Sequence, residues 1–323
     1  MPEHPSADEV FTYFERLSNW GRWGADDTRG TLNYVTPEVT LAAAGEIQLG
    51  RSVSCAWPIT NQRQEGDLFG TPQRFMLNHG QGLADENRVL PPHRREGDRG
   101  FGASEYVGFV FHGLNITHLD ALSHIFWDRK MYNDYPAELV TSQMGATRLA
   151  ITDIAEGITT RGVLLDVARA RGVDALEPGY GVTPDDLALT EERQGVSVRR
   201  GDAVFLRTGH GHVRHASGPT KTARGQPGWH ASSLPWLHER EVAVIGCDTG
   251  QDVTPSGYNE AGLNLPVHSI GISAMGLWLL DNLDLEALGQ TCEELERGTF
   301  FLSLQPLRLE GATGSPLNPI ALF

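Results

Sequence analysis

Between residues 112 and 128 the chain reads HGLNITHLDALSHIFWD, and this stretch restricts its folding more than any other. Apolar neighbours such as Phe109, Phe111, Ile116, Leu119, Leu122 and Trp127 predict burial, yet two imidazoles and a carboxylate fall within seven positions. Buried ionisable groups need strong partners, which the fold must supply. His118, Asp120 and His124 all carry even numbers. Side chains alternate faces along an extended strand, so His118 and Asp120 share a face, and His124 rejoins them if the chain stays roughly extended through 121–123. Two imidazoles and a carboxylate without a thiolate suit a divalent ion of borderline hardness, Zn²⁺ or Mn²⁺. The same spacing suits a hydrogen-bonded His–Asp couple or two surface polar groups, and the residues alone leave these readings open.

Charge narrows the partners. A formal net charge of −15 and a pI near 5.2 argue against nucleic acid and against an anionic membrane surface, and leave a small-molecule substrate. The three cysteines, Cys55, Cys247 and Cys292, are widely spaced and form no CxxC pair, so neither a disulfide framework nor a thiolate zinc site is indicated. The first residues, MPEHPSADEVFTYFERL, lack a basic n-region and an apolar h-region, and no apolar run reaches about 18 residues. A soluble, cytoplasmic protein is expected, with 1–323 forming one domain.

Along the chain, Val10, Phe11, Phe14 and Leu17 predict a helix over 7–19, and Thr36-Pro37 caps a second one running to about Ile47. Residues 52–59 read as a strand. The polar, aperiodic segment 60–104 is long for a loop, and it reads either as a lid folding over the site or as a surface insertion, with His79 and His93 solvated. Strand 106–113 leads into the His118 motif. Further strands are predicted at 149–152, 163–167, after Gly201 and at 242–246, with helices at 183–195 and 232–239. Short apolar strands alternating with helices argue an α/β protein. The 242–246 strand delivers Cys247, Asp248 and Asp252 to the end where open α/β sheets bind ligands. Cys247 reads as a structural thiol. His210, His212 and His215 in GHGHVRH read as solvated or as a second metal site. Pro266–Met275 reads as a helix broken by Gly276, with a strand in LWLLDNLDL. His268 and Asp281 lie 13 residues apart, about 140° on one helix, so only a helix that turns back brings them together.

THLDALSH followed by IFWDRKMYN resembles the cyclase-like metal-dependent hydrolases, the family that includes bacterial kynurenine formamidase and isatin hydrolase. Its pattern is His-x-Gly-Thr-His-x-Asp-Ala-Pro-x-His, and this chain supplies Thr117, His118, Asp120, Ala121 and His124 in register. Leu122 stands at the family's Pro, Leu114 at its first His and Ile116 at its Gly. One ion or two is therefore open, unless His112 reaches in from two residues earlier on the same strand face. GTLN and TPE near residues 30–38 are similar to the start of the larger members. Trp23 reads first as core packing, and its functional reading is that it lines the substrate pocket. His268 matches a family ligand, and Asp281 takes the place of a family Glu one methylene longer. His210 stands where the family often has Trp, which implies a more polar pocket.

The resemblance implies a swivelling β/β/α (cyclase-like) fold with a mixed central sheet, commonly in a homodimer or higher homo-oligomer. It also implies a hydrolase attacking an amide, lactam or lactone carbonyl with metal-bound hydroxide. His118, Asp120, His268 and Asp281 would be the ligands and His124 the proton-transfer group. His112, Trp23, Trp127 and His210 would border the substrate. A non-catalytic metal or small-ligand binding protein, as Leu114 would suggest, and a metal-dependent cyclase or lyase are the alternatives.

Overall fold

The computed structural model describes residues 4–67, 69–81, 99–219 and 225–323. In chain order the principal strands are β1 (Ser52–Ser54), β2 (Gln73–Asn78), β3 (Ser104–Gly108), β4 (His118–Asp120), β5 (Ile158–Asp166) and β6 (Ala203–Arg207). They continue with β7 (Val244–Cys247), β8 (Trp278–Asp281), β9 (Thr299–Leu304), β10 (Gly314–Pro316) and β11 (Ile320–Leu322). Among the described residues, nine of these form one mixed sheet in the order β1-β11-β9-β5-β6-β7-β8-β4-β10. β5 to β8 are parallel neighbours, and every pairing outside them is antiparallel. The apolar runs AVFL, VIGC and WLL have every residue buried, as a parallel core covered on both faces requires. This is an α/β protein with a mixed central sheet, as the sequence implied.

The helices capped by Ser6, Thr36 and Thr183 start where expected, the first ending at Arg16, short of the expected 19. Ser6 caps α1 (Ala7–Arg16) by accepting from the Glu9 N–H, and Asp8 and Glu9 complement its dipole. Thr36 and Pro37 open α2 (Pro37–Ala44), which ends three residues before Ile47. Asp186 accepts from both the backbone N–H and the hydroxyl of Thr183, fixing the entry to α3 (Pro184–Gln194). Helices α4 (His210–Ser217) and α5 (Ser233–Glu239) lie between β6 and β7 in the chain. α6 (Pro266–Ile270) widens into a π turn over Gly271–Met275, and Gly276, at φ 65°, turns the chain back into β8. α7 (Glu286–Glu294) follows. No helix among the described residues is long and apolar enough to cross a membrane.

Some expectations are corrected. Residues 151–154 form a 3-10 turn rather than a strand, because Leu149 sits at φ 59°, which an extended chain cannot accommodate. The 52–59 strand stops at Ser54. Strand 106–113 does not run into the His118 motif: β3 pairs only with β2, in a separate ribbon. Between them, side chains replace ladder bonds, since Asn282 Nδ2 donates to the carbonyls of Gly113 and Ile116. The expected lid over 60–104 falls partly outside the described residues, as does His93; its described part contains β2.

Candidate metal centre

β4 is three residues long and lies between β8 and β10. Asp281 is paired with His118 across β8–β4, so the two side chains leave the sheet on the same face. Asp120, two residues on, shares that face. Gly314 stands opposite Asp120 on β10, and a Cβ there would come within 2.8 Å of the His112 ring. The missing side chain leaves the space that His112 occupies.

Asp120 is the centre of the cluster. Its Oδ1 lies 3.0 Å from His112 Nδ1, 3.5 Å from His118 Nε2 and 3.9 Å from His124 Nε2, and its Oδ2 lies 3.6 Å from His268 Nε2. His268 Nε2 is also 3.4 Å from Asp281 Oδ2. These atoms are close without being aligned for hydrogen bonds: both Asp120 oxygens, His112 Nδ1 and Asp281 Oδ1 are buried with no hydrogen-bond partner. Buried polar atoms in that state are costly, and a shared cation would satisfy them. Two sets could hold an ion, His118 with Asp120 and Asp281, and His112 with Asp120 and His124.

The remaining nitrogens of His118, His112 and His268 are fixed from behind. His118 Nδ1 lies 2.8 Å from the Ile116 carbonyl, His112 Nε2 lies 3.1 Å from Thr313 Oγ1, and His268 Nδ1 lies 2.6 Å from Asp252 Oδ2. In His118 and His268 this leaves Nε2 facing the carboxylates, as in metal-binding histidines. Asp252 also accepts from the Val267 and His268 backbone N–H groups. Sequence reasoning placed Asp252 at the ligand end of a strand but gave it no partner. The only signal was position, since 16 residues separate it from His268.

Electrostatics favours positive charge here. Burial would raise the Asp120 carboxyl, yet the imidazoles of His124, His112 and His118 hold it well below the carboxylate range. Burial would lower His268, but Asp281 and Asp252 lift it well above its ordinary value. Burial pushes His124 down to about 4 against the pull of Asp120. Non-glycine residues at positive φ flank the acids: Gln251 (58°) precedes Asp252 and Asn282 (55°) follows Asp281. Such conformations gather at functional sites.

The other expected residues distribute unevenly. His268 and Asp281 do come together, through the π turn. His124 arrives by a turn, its N–H donating to the Ala121 carbonyl, rather than along an extended strand. His112 stacks on His124 with ring centroids 3.9 Å apart. Trp23 is not brought to the donors; it packs edge-on against Tyr34. Trp127 stacks on Phe14 of α1. His210 begins α4 and lines a small cavity with Leu114. His215 pairs with Asp284 at the surface.

Residues 56–251 match the family described as "Putative cyclase". A solved structure described as a novel cyclase is 33% identical, with a TM-score of 0.84 over 96% of this chain and 99% of that one. Isatin hydrolase A from Labrenzia aggregata, bound to benzyl benzoate, is 21% identical, with a TM-score of 0.58 over 90% and 98%. Isatin hydrolase A from Ralstonia solanacearum is 24% identical, with a TM-score of 0.57 over 88% and 97%. The latter two likenesses are likenesses of fold. A search of curated proteins found no match.

Proposed function

The chain belongs to the cyclase family, and from that premise we propose that it is a metal-dependent hydrolase of an amide, lactam or lactone carbonyl. The observation that carries the reading is Asp120, a fully buried carboxylate with two unpartnered oxygens ringed by four imidazoles. His118, Asp120, His268 and Asp281 would hold a divalent ion, Zn²⁺ or Mn²⁺, whose oxygen and nitrogen donor set they match. When bound, the ion supplies Lewis acidity, which polarises a carbonyl and brings the ionisation of water toward neutral pH.

The chain's own groups do the rest. Asp252 holds His268 in one tautomer, and the Ile116 carbonyl does so for His118. His124, the most exposed of the imidazoles around Asp120, is neutral at pH 7 and takes a proton from the attacking water at Nε2. It returns that proton to the leaving nitrogen or oxygen. The partner beyond the small-molecule substrate is a second copy of this chain, and the exposed apolar ribbon β2–β3 supports that assignment.

Metal content by inductively coupled plasma mass spectrometry tests the reading, with wild type and Asp120→Ala purified alike. About one equivalent of Zn or Mn in wild type should be lost in the variant, and the loaded wild type should hydrolyse members of a panel of formanilides, lactams and lactones. Full metal in Asp120→Ala would refute the ligand assignment.

A further inference from the structure

Helix α4 carries an arginine that the metal chemistry does not use. Arg214 is 7% exposed, and among the described residues its side chain makes one hydrogen bond, from Nη2 to the Asn115 carbonyl at 2.9 Å. Its guanidinium lies 4.1 Å from the ring centroid of Trp57. Among the described residues no carboxylate forms an ion pair with it. The acids whose charge it feels are committed elsewhere, Asp284 to His215 at 2.9 Å and Asp67 to Asn115 at 2.7 Å. A guanidinium has five donors, and arginine is almost never buried unless paired. Burial pushes this one down to about 10, which marks a desolvation that an anion would relieve.

Arg214 lines a cavity with Leu114, Asn115, His210, Gln226 and Asn282. Its free volume is about 10 Å³, room for about one water or one carboxylate oxygen. The cavity adjoins the metal centre at Gly250. A Cβ on Gly250 would lie 3.4 Å from Gln226 Nε2, 3.6 Å from Asp281 Oδ2 and 3.9 Å from Leu114 Cδ2. A side chain at Gly250 would thus touch both the Gln226 amide and the Asp281 carboxylate.

We infer that Arg214 is a specificity residue that receives one oxygen of a substrate carboxylate, so the substrates are carbonyl compounds that also carry a carboxylate. The inference rests on the hydrolase reading above, whose site it extends. Arginine suits the task, because it stays charged when desolvated and its planar fork fits carboxylate geometry. The side chain at Leu114 is apolar, and among the polar residues of the lining, Asn115, His210, Gln226, Asn282 and Arg214, only the arginine is a fixed cation.

The test is calorimetric titration of the metal-loaded protein with benzoate and with benzamide, its neutral isostere, in wild type, Arg214→Gln and Arg214→Lys. Wild type should prefer benzoate at least tenfold, Arg214→Gln should lose that preference, and Arg214→Lys should keep part of it, with circular dichroism showing all three folded. Equal affinities in wild type, no benzoate binding, or an undiminished preference in Arg214→Gln would overturn the inference; the last would place the carboxylate on the metal. Metal analysis of the same samples separates the two readings. An Arg214-dependent preference without metal uptake would sink the hydrolase reading and keep the anion subsite, and the reverse pattern would do the opposite.

Discussion

At the scale of single residues, Asp252 holds the His268 ring at Nδ1 and would act through it on a bound ion. Removing its charge in Asp252→Asn leaves the ring free to turn, and metal affinity should fall about 10–100-fold in chelator competition while the fold survives. An unchanged affinity would reduce Asp252 to a backbone clamp for Val267 and His268. His230 offers a separate check on stability. It touches Tyr258 Oη and lies against His4 with the rings tilted, and burial, with His4 beside it, pushes its imidazole down to about 4. The folded state therefore keeps it neutral where the unfolded chain protonates it. Stability should be fully present above pH 6.5 and be lost as pH falls toward 4, by up to about 1.4 kcal/mol per pH unit. Urea unfolding of wild type and His230→Gln across that window should show a shallower pH slope in the variant. The cluster of His118, Asp120 and His124 was legible because the three lie together in the sequence. Asp252 and Arg214 were not, because nothing local marks a carboxylate that orients a distant ring or a cation without a counter-charge.

At the scale of elements, the capped helices α2 and α3 were legible, whereas α4 and α7, which have no side-chain cap, and the three-residue strand β4 were not. Thr36-Pro37 and Thr183-Pro184 announce helix starts through local hydrogen bonding, which needs no tertiary partner. β4 is a strand only because β8 and β10 lie on either side of it, and Leu149 and Asn282, with left-handed backbones, break runs that look continuous in sequence. The β4–β10 contact is tight enough to test. A Cβ on Gly314 would sit 2.6 Å from the Leu119 carbonyl and 2.8 Å from the His112 ring. Gly314→Ala should destabilise the protein by about 1–3 kcal/mol through overpacking, lower its melting temperature and weaken metal retention, because His112 must move. Unaltered metal binding at an unaltered melting temperature would mean that His112 is not held by this contact.

At the scale of the whole molecule, the ribbon of β2 and β3 lies outside the main sheet and shows water an apolar surface. Phe69 just before it, Phe75, Met76 and Leu77 on β2, and Tyr106 and Val107 on β3 are each at least 44% exposed. A two-stranded ribbon is marginal alone in water. These side chains offer on the order of 100 Å² each, which approaches the roughly 800 Å² per partner of a stable interface. Light scattering should find a dimer that Phe75→Glu with Leu77→Glu converts to monomer; a wild-type monomer would leave the ribbon facing something other than a second copy. Family resemblance made the mixed sheet legible in advance, whereas the ribbon escaped notice because its polar surroundings hide the alternation. The order of the sheet has one more consequence, for the chain as it is made. β4 leaves the ribosome with neither neighbour in existence, since β8 is over 150 residues away and β10 almost 200. At about 5–20 residues per second that is a wait of roughly 10–40 s. Capture of an ion by the set that includes Asp281 would therefore follow synthesis of nearly the whole polypeptide, and a nascent fragment ending before residue 281 should emerge without an ion in that set.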